Sequence, residues 1–205
     1  MKSNIPSHVS RRRFLARAFL AAGGALALTP IGEAQRLAAS SANQTKPDAS
    51  GVSPERRVRE LGLELPPITT PVATFVPAVQ VGDMLYVSGH VSIDAKGQRI
   101  TGKVGKDVDL EAARAAAMRV GLSVLSCVRA TLGSLDRVQR IVKTLGMVNC
   151  TTEFTQQPQV INGFSDLMVD VFGPERGKGA RSAVGMNALP GNAVVEIEVI
   201  FQVRP

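Results

Sequence analysis

Three charged side chains stand out in the otherwise apolar C-terminal segment. Arg181 begins one alternating run, and Glu196 and Glu198 occupy a second. An arginine binds a carboxylate through two parallel hydrogen bonds, and a carboxylate can hold and deprotonate a water molecule. These residue types therefore suit a site for a small carboxylate-bearing molecule with water beside it. The alternatives are a structural salt bridge for Arg181 and a solvated strand face for the two glutamates.

The segment 180–204 is predicted to form a β-hairpin, because residues 189–192, which read LPGN, interrupt the two alternating runs. Symmetric pairing about this turn places Arg181 and Glu196 on one face, about four residues or roughly 13 Å apart along the strands. A direct contact within one chain is then unfavourable. A cleft between two subunits, with Arg181 from one and Glu196 from the next, suits the spacing better.

The remaining pattern predicts two strands, a helix, a strand and a second helix before this hairpin. The strand predictions are 75–80, 84–88 and 138–148, and the helix predictions are 109–133 and 159–172. Ser53 and Pro54 predict a short earlier helix that Gly62 ends. Strands in blocks with helices between them indicate an α+β domain, with a mostly antiparallel sheet and two helices on one face.

The positive charge is concentrated near the N-terminus. The net charge is +7, but residues 1–45 hold six basic residues against one acidic residue, which leaves +2 for residues 46–205. With no Trp and one Tyr, the chain also lacks the aromatic residues of a base-stacking platform. Nucleic acid is therefore not a predicted partner.

Residues 1–34 are predicted to be an export signal. Residues 10–15 read SRRRFL, and an apolar stretch of eleven residues, 18–28, follows them. That stretch is too short for a stable membrane span, and the motif resembles a twin-arginine signal, which implies periplasmic export with only transient membrane contact. A basic amphipathic or disordered N-terminus and an uncleaved anchor are the alternatives. Residues 35–52 are predicted to be a linker, and 53–205 the folded domain.

Five segments together resemble the Rid family, the reactive intermediate deaminases also called YjgF-like. The resemblance spans about residues 55–204, and two stretches, 61–67 and 157–163, resemble a less characterised branch of that family. The five segments are GD at 82–83 leading into YVSG at 86–89, the Ala-rich helix from 109, LDRV at 135–138, VIN at 160–162, and ARSAV at 180–184 continuing through LP to EIE at 196–198.

The resemblance implies a chorismate-mutase-like fold and a homotrimer whose sheets form a central barrel, with ligand clefts between subunits. It also implies hydrolysis of 2-imino or 2-enamino acids to 2-oxo acids and ammonia, without metal or organic cofactor. On this basis Arg181 is expected to grip the substrate carboxylate, and Glu196 to position the attacking water.

Four further residues are expected to bind substrate by the same resemblance. Gly89 matches a cleft backbone position and Asn162 a cleft amide, although Asn162 also suits the solvated side of its helix. Phe75 stands where many members have Tyr, so one hydroxyl is missing. His90 follows the glycine where Gln is common, and Ala183 replaces a frequent Cys. These departures bear on which substrate is used.

No Cys/His cluster predicts a metal site. The two cysteines, Cys127 and Cys150, are expected to be unpaired thiols, with a disulfide as the alternative for an exported protein.

Two functions remain open at this point. One is the deaminase, and the other is a non-catalytic module that binds a small carboxylate metabolite on the same trimeric scaffold. Export favours the second, because reactive enamines arise mainly in the cytoplasm. A ribonuclease has little support, since the sequence shows no basic stripe and no pair of histidines for phosphodiester chemistry.

Overall fold

The computed structural model describes residues 52–68 and 74–205. The predicted signal at 1–34 lies outside these residues, and so does the predicted linker except for Val52. The described helices and strands are, in chain order, α1 Pro54–Glu60, β1 Ala78–Val81, β2 Met84–Val91, α2 Leu110–Leu132, β3 Val138–Asn149, α3 Gln157–Phe172, the short α4 Pro174–Gly177, β4 Ala180–Met186 and β5 Val195–Val203.

The five strands form one sheet in the order β1-β2-β5-β3-β4. All neighbours pair antiparallel except β3 and β4, which are parallel. In β5 every second side chain, from Val195 to Val203, is buried, whereas Glu198 between them is exposed. Helices α2 and α3 cover the apolar face. The predicted α+β fold, with two helices on one face of a mostly antiparallel sheet, is confirmed.

The predicted C-terminal hairpin is wrong, because β3 lies between β4 and β5. Arg181 is opposite Thr144 of β3, and Glu196 is opposite Met147 of the same strand. Helix α3 connects β3 to β4, and a helical crossover is what brings a strand back parallel to its predecessor. The more apolar β5 occupies the interior of the sheet, while the exposed β4 takes the edge.

Helix α2 begins and ends where its capping residues predict. Asp109 caps α2 by accepting a hydrogen bond from the Ala112 amide at 2.8 Å, and Gly133 ends it with φ +80°. Glycine also lets α2 and α3 approach closely. A Cβ at Gly121 would stand 2.7 Å from Leu167 Cδ2, so a larger residue there would push the helices apart.

Helix α1 is held against the end of α2 by polar contacts. Ser53 caps it, as predicted, and its hydroxyl also donates to Asp136 Oδ1 at 2.7 Å. Glu55 forms an ion pair with Arg129 at 2.7 Å.

The two cysteines are not paired. Cys127 in α2 and Cys150 after β3 are both buried free thiols, so the disulfide alternative is not realised.

Candidate functional site

The Arg181 side chain is held from helix α3. Its Nη1 donates to Asn162 Oδ1 at 2.8 Å and to Ser165 Oγ at 3.0 Å. Asn162 and Ser165 are three residues apart, so they lie on the same side of the helix. Together Asn162, Ser165 and Arg181 are here called the arginine cluster.

The arginine cluster presents an open guanidinium edge. Within residues 52–68 and 74–205, no acceptor hydrogen-bonds the Nε or Nη2 of Arg181, and the residue is exposed at the edge strand β4. A guanidinium binds a carboxylate through two parallel N–H donors on one edge. The cluster is therefore suited to bind the carboxylate of a ligand while the helix holds the other side of the arginine.

A second group of residues surrounds Glu196 on β5. Gly89 lies against this glutamate so closely that a Cβ on residue 89 would stand 2.1 Å from Glu196 Oε1. The pairing of β2 with β5 is shifted between Val87 and His90, as in a β-bulge, which re-aims side chains next to active sites. The bulge and the missing side chain of Gly89 together leave space for the carboxylate of Glu196.

The surroundings of Glu196 favour its protonated form. Burial raises the pKa of its carboxyl group, the nearby charge of Glu198 raises it further, and the charge of Arg99 acts in the opposite direction. A carboxylate with a raised pKa is a better proton acceptor near neutral pH than an ordinary glutamate. Glu198 itself is exposed, in keeping with the solvated strand face considered for it.

Three of the predicted binding residues line one cavity. Phe75, Gly89 and His90 lie in the wall of a cavity of about 150 Å³ between β2 and helix α2. Phe75 is 54% exposed, so it lies at the mouth. Gly89 therefore borders both the cavity and the Glu196 carboxylate, although Glu196 itself is not in the cavity wall. Phe75, Gly89, His90 and Glu196 are here called the glutamate cluster.

Arg181 and Glu196 lie on opposite faces of the sheet, so the predicted shared face is wrong. Their partners on β3, Thr144 and Met147, are three residues apart, and side chains at that separation on a strand point to opposite sides. Three residues along the strands and two strand spacings across put the two Cα atoms roughly 14 Å apart. Within one chain the arginine cluster and the glutamate cluster are therefore separate.

Sequence reasoning missed some of the residues that support these clusters. Ser165 was not among the candidates, although its position three residues after Asn162 and off the apolar stripe of α3 was a usable signal. Ser126 and Cys127 of α2 line the cavity near His90, and no local pattern marks them, because only the packing of α2 on the sheet brings them there.

No group of three or more His, Cys, Asp or Glu side chains within the described part of the chain is arranged to hold a metal ion. The expectation that the protein works without metal or cofactor remains a prediction.

Comparison with known proteins places these clusters in a family context. The sequence family described as "YjgF/chorismate mutase-like, putative endoribonuclease" matches residues 55–202. Protein TCP17 of Trypanosoma cruzi is 40% identical over 147 residues, which are 72% of this chain and 92% of that protein.

Two solved structures are similar as well. Protein Atu1372 of Agrobacterium tumefaciens, of unknown function, is 40% identical with a TM-score of 0.66, over 75% of this chain and 94% of that one. A protein of Shewanella oneidensis described as a "putative endoribonuclease" is 25% identical with a TM-score of 0.70, over 74% of this chain and all of that one. The similarity therefore covers the domain that carries both clusters.

Proposed function

The chain belongs to the YjgF/chorismate mutase-like family, and we propose that it hydrolyses small 2-imino or 2-enamino acids to 2-oxo acids and ammonia. The observation that carries the proposal is the pair of complementary half-sites. The arginine cluster offers an open edge for a carboxylate. The glutamate cluster offers a proton acceptor next to Gly89, which also lines a small cavity.

The two half-sites belong to one site only if two subunits meet. The roughly 14 Å between Arg181 and Glu196, on opposite faces of the sheet, is too far for both to contact one small imino acid in a single chain. In the proposed homotrimer, Arg181 of one subunit and Glu196 of the next enclose the substrate. This arrangement also explains why the guanidinium edge of Arg181 has no acceptor among the described residues of its own chain.

The face of the sheet that no helix of the described residues covers supports such an assembly. Its strands expose apolar side chains that a solitary domain would be expected to cover. By strand register with the buried residues, this face carries Val79, Val81, Tyr86, Val184 and Met186, each at least 36% exposed. We propose that these side chains line the central barrel of the trimer.

The chemistry requires no cofactor. The substrate carboxylate is held by Arg181, and water attacks the iminium carbon while the Glu196 carboxylate accepts one proton from it. The resulting carbinolamine carries one nitrogen and one hydroxyl on the same carbon. The proton returns from Glu196 to the nitrogen, the C–N bond breaks, and ammonia leaves as the C=O bond forms. The Glu196 carboxylate, free again, accepts the hydroxyl proton in this step and passes it to the departing ammonia, which leaves as ammonium. Water supplies the oxygen of the 2-oxo acid, so the atoms balance without an oxidant or reductant.

The direct test is ammonia release from 2-iminopropanoate generated in the assay by an amino acid oxidase with catalase. The purified protein is expected to accelerate the release. Arg181→Ala and Arg181→Lys are both expected to lower kcat/KM about 10- to 100-fold, because lysine keeps the charge and loses the planar pair of donors. Equal rates for wild type and Arg181→Ala would contradict the proposal.

Two further measurements on the same proteins test two other functions. A carboxylate-dependent rise in melting temperature without turnover, lost in Arg181→Ala, would identify a non-catalytic binding module. Cleavage of single-stranded RNA would overturn the prediction that nucleic acid is not a partner. This cleavage is tested because the family and the Shewanella relative are both described as putative endoribonucleases.

The export signal is a separate proposal. We propose that residues 1–34 direct the folded domain, 53–205, to the periplasm through a twin-arginine route, with residues 35–52 as a linker. Support comes from the SRRRFL motif and the short apolar stretch after it. Replacing Arg11 and Arg12 by lysine should retain the protein in the cytoplasm, and unchanged export would contradict the proposal.

A further inference from the structure

The cavity lined by Gly89 and His90 is small and has a distinctive polar lining. Its volume of about 150 Å³ equals the space of about five water molecules in the liquid, at roughly 30 Å³ each. It therefore suits a substituent of three to five non-hydrogen atoms rather than a whole metabolite. Most of its wall is apolar, being formed by Pro67, Ile68, Phe75, Pro77, Val91 and Ile93.

The three serine hydroxyls in the wall each donate a hydrogen bond to a backbone carbonyl. Ser88 Oγ donates to the Val76 carbonyl at 2.7 Å, and Ser126 Oγ donates to the Pro66 carbonyl at 2.5 Å. Ser123 Oγ donates to the carbonyl one turn earlier in α2, at 3.3 Å. A hydroxyl has one proton and two lone pairs, so while these bonds to the backbone are kept the three oxygens act as acceptors toward a ligand.

The His90 ring presents an acceptor as well. Its Nδ1 lies 2.7 Å from the Ser88 carbonyl oxygen, and a carbonyl oxygen only accepts, so Nδ1 carries the proton. Burial lowers the pKa of the imidazole, although the bond to Ser88 acts in the opposite direction. In the neutral ring Nε2 is then an unprotonated acceptor, and among the described residues no side chain or backbone group hydrogen-bonds it.

We propose that this cavity receives the side chain of the substrate and selects side chains that end in a neutral hydrogen-bond donor, such as a hydroxyl or an amide NH₂. The proposal rests on the proposed function for the identity of the substrate as an imino acid. Oriented acceptors repel a terminal carboxylate. No described residue in the wall carries a negative charge, so the apolar wall disfavours an ammonium group. Cys127 adds only a weak thiol donor, so it does not reverse the preference.

The test compares two ligands of equal size that differ only at the end of the side chain. Equilibrium binding of 4-hydroxy-2-oxobutanoate and 2-oxopentanoate, the products of the corresponding imino acids, is measured by calorimetry on the assembled wild-type protein. We expect at least fivefold tighter binding of the hydroxyl compound. Equal affinity, or no binding of either compound, would overturn the subsite.

Variants of His90 then test whether its Nε2 acceptor causes the preference for the hydroxyl compound. His90→Leu removes the Nε2 acceptor and should bring the affinity ratio to about one, whereas His90→Gln keeps an acceptor oxygen and should retain part of it. Gln98→Leu, at an exposed position of the same domain outside the cavity wall, is the control and should keep the wild-type ratio. An unchanged ratio in a folded His90→Leu protein would also overturn the proposal.

Turnover is measured in parallel so that the two proposals fail separately. If neither imino acid is hydrolysed faster than in buffer, the deaminase is wrong, and the affinity ratio still decides the subsite. If both are hydrolysed with equal kcat/KM and their products bind equally, the deaminase stands and the donor-selective subsite is wrong.

Discussion

Gly89 of β2 and the carboxylate of Glu196 on β5 occupy adjoining space that no side chain at residue 89 could share. A Cβ there would stand 2.1 Å from Oε1 and 3.0 Å from the carboxyl carbon. The position of the proposed water-activating group is therefore set by the absence of a side chain on the neighbouring strand.

Gly89→Ala should displace the Glu196 carboxylate by about 1 Å or more and lower kcat/KM for imine hydrolysis about 100-fold, since misplacement of this size disrupts catalysis. It should also destabilise the fold by about 1–3 kcal/mol through overpacking. In the double variant Gly89→Ala/Glu196→Ala the methyl group enters the space left by the carboxylate. Urea denaturation should then show the double variant to be more stable than Gly89→Ala, and the opposite order would contradict the contact.

Asn162→Ala should weaken substrate binding more than chemistry, because it releases one of the two side chains that hold Arg181 in place. We expect KM to rise roughly tenfold with a smaller change in kcat. In a protein that already carries Arg181→Ala, Asn162→Ala should not lower kcat/KM further, since the effects of two residues in contact do not add. Gln159→Ala, at an exposed position in the same helix, is the control. A purely structural role for Asn162 would lower melting temperature without this split between KM and kcat.

The raised pKa of Glu196 predicts a pH dependence of stability. When the folded pKa exceeds the unfolded one, the folded state binds more protons between them, so stability falls as pH rises from about 4.3 through the raised pKa. Glu196→Gln removes this loss, and its advantage in free energy of unfolding should grow between pH 4 and pH 8. Glu198→Gln removes the nearby negative charge that also raises the pKa of Glu196. The fall in stability should then occur at lower pH. Denaturation curves at several pH values test both, and parallel pH profiles for wild type and Glu196→Gln would contradict them.

Mixing two inactive variants should restore activity if each site takes Arg181 and Glu196 from different subunits. Arg181→Ala and Glu196→Gln proteins, refolded together in equal amounts, should recover about a quarter of wild-type activity, since a random cyclic trimer gives one site in four with both native residues. The same proteins refolded separately and then combined are the control. No gain on co-refolding would place the site within one chain.

Local elements were predictable because their signals are local. Asp109 and Gly133 mark both ends of α2, and Ser53 marks the start of α1, since caps satisfy backbone groups within a few residues. The alternation in β5 likewise identified its buried face. These patterns, and the residue types in the five family-like segments, were enough for the fold class and for the choice of Arg181 and Glu196 as candidates.

Strand order was not predictable in this way. The turn at 189–192 suggested that β4 pairs with β5, yet β3 separates them, because helix α3 carries the chain back parallel to β3 and leaves β4 at the edge. The correct order moves Arg181 and Glu196 to opposite faces and brings Asn162 and Ser165 to the arginine.

The sequence by itself therefore determined the elements, their apolar faces and the residue types capable of chemistry, since each depends on neighbours within a few positions. Only the tertiary structure decided which of these residues meet. Gly89 contacts Glu196, and His90 joins Ser126 and Cys127 around a cavity, through contacts between segments far apart in the chain. Such contacts follow from how the sheet and helices pack as a whole, and no short stretch of sequence encodes them.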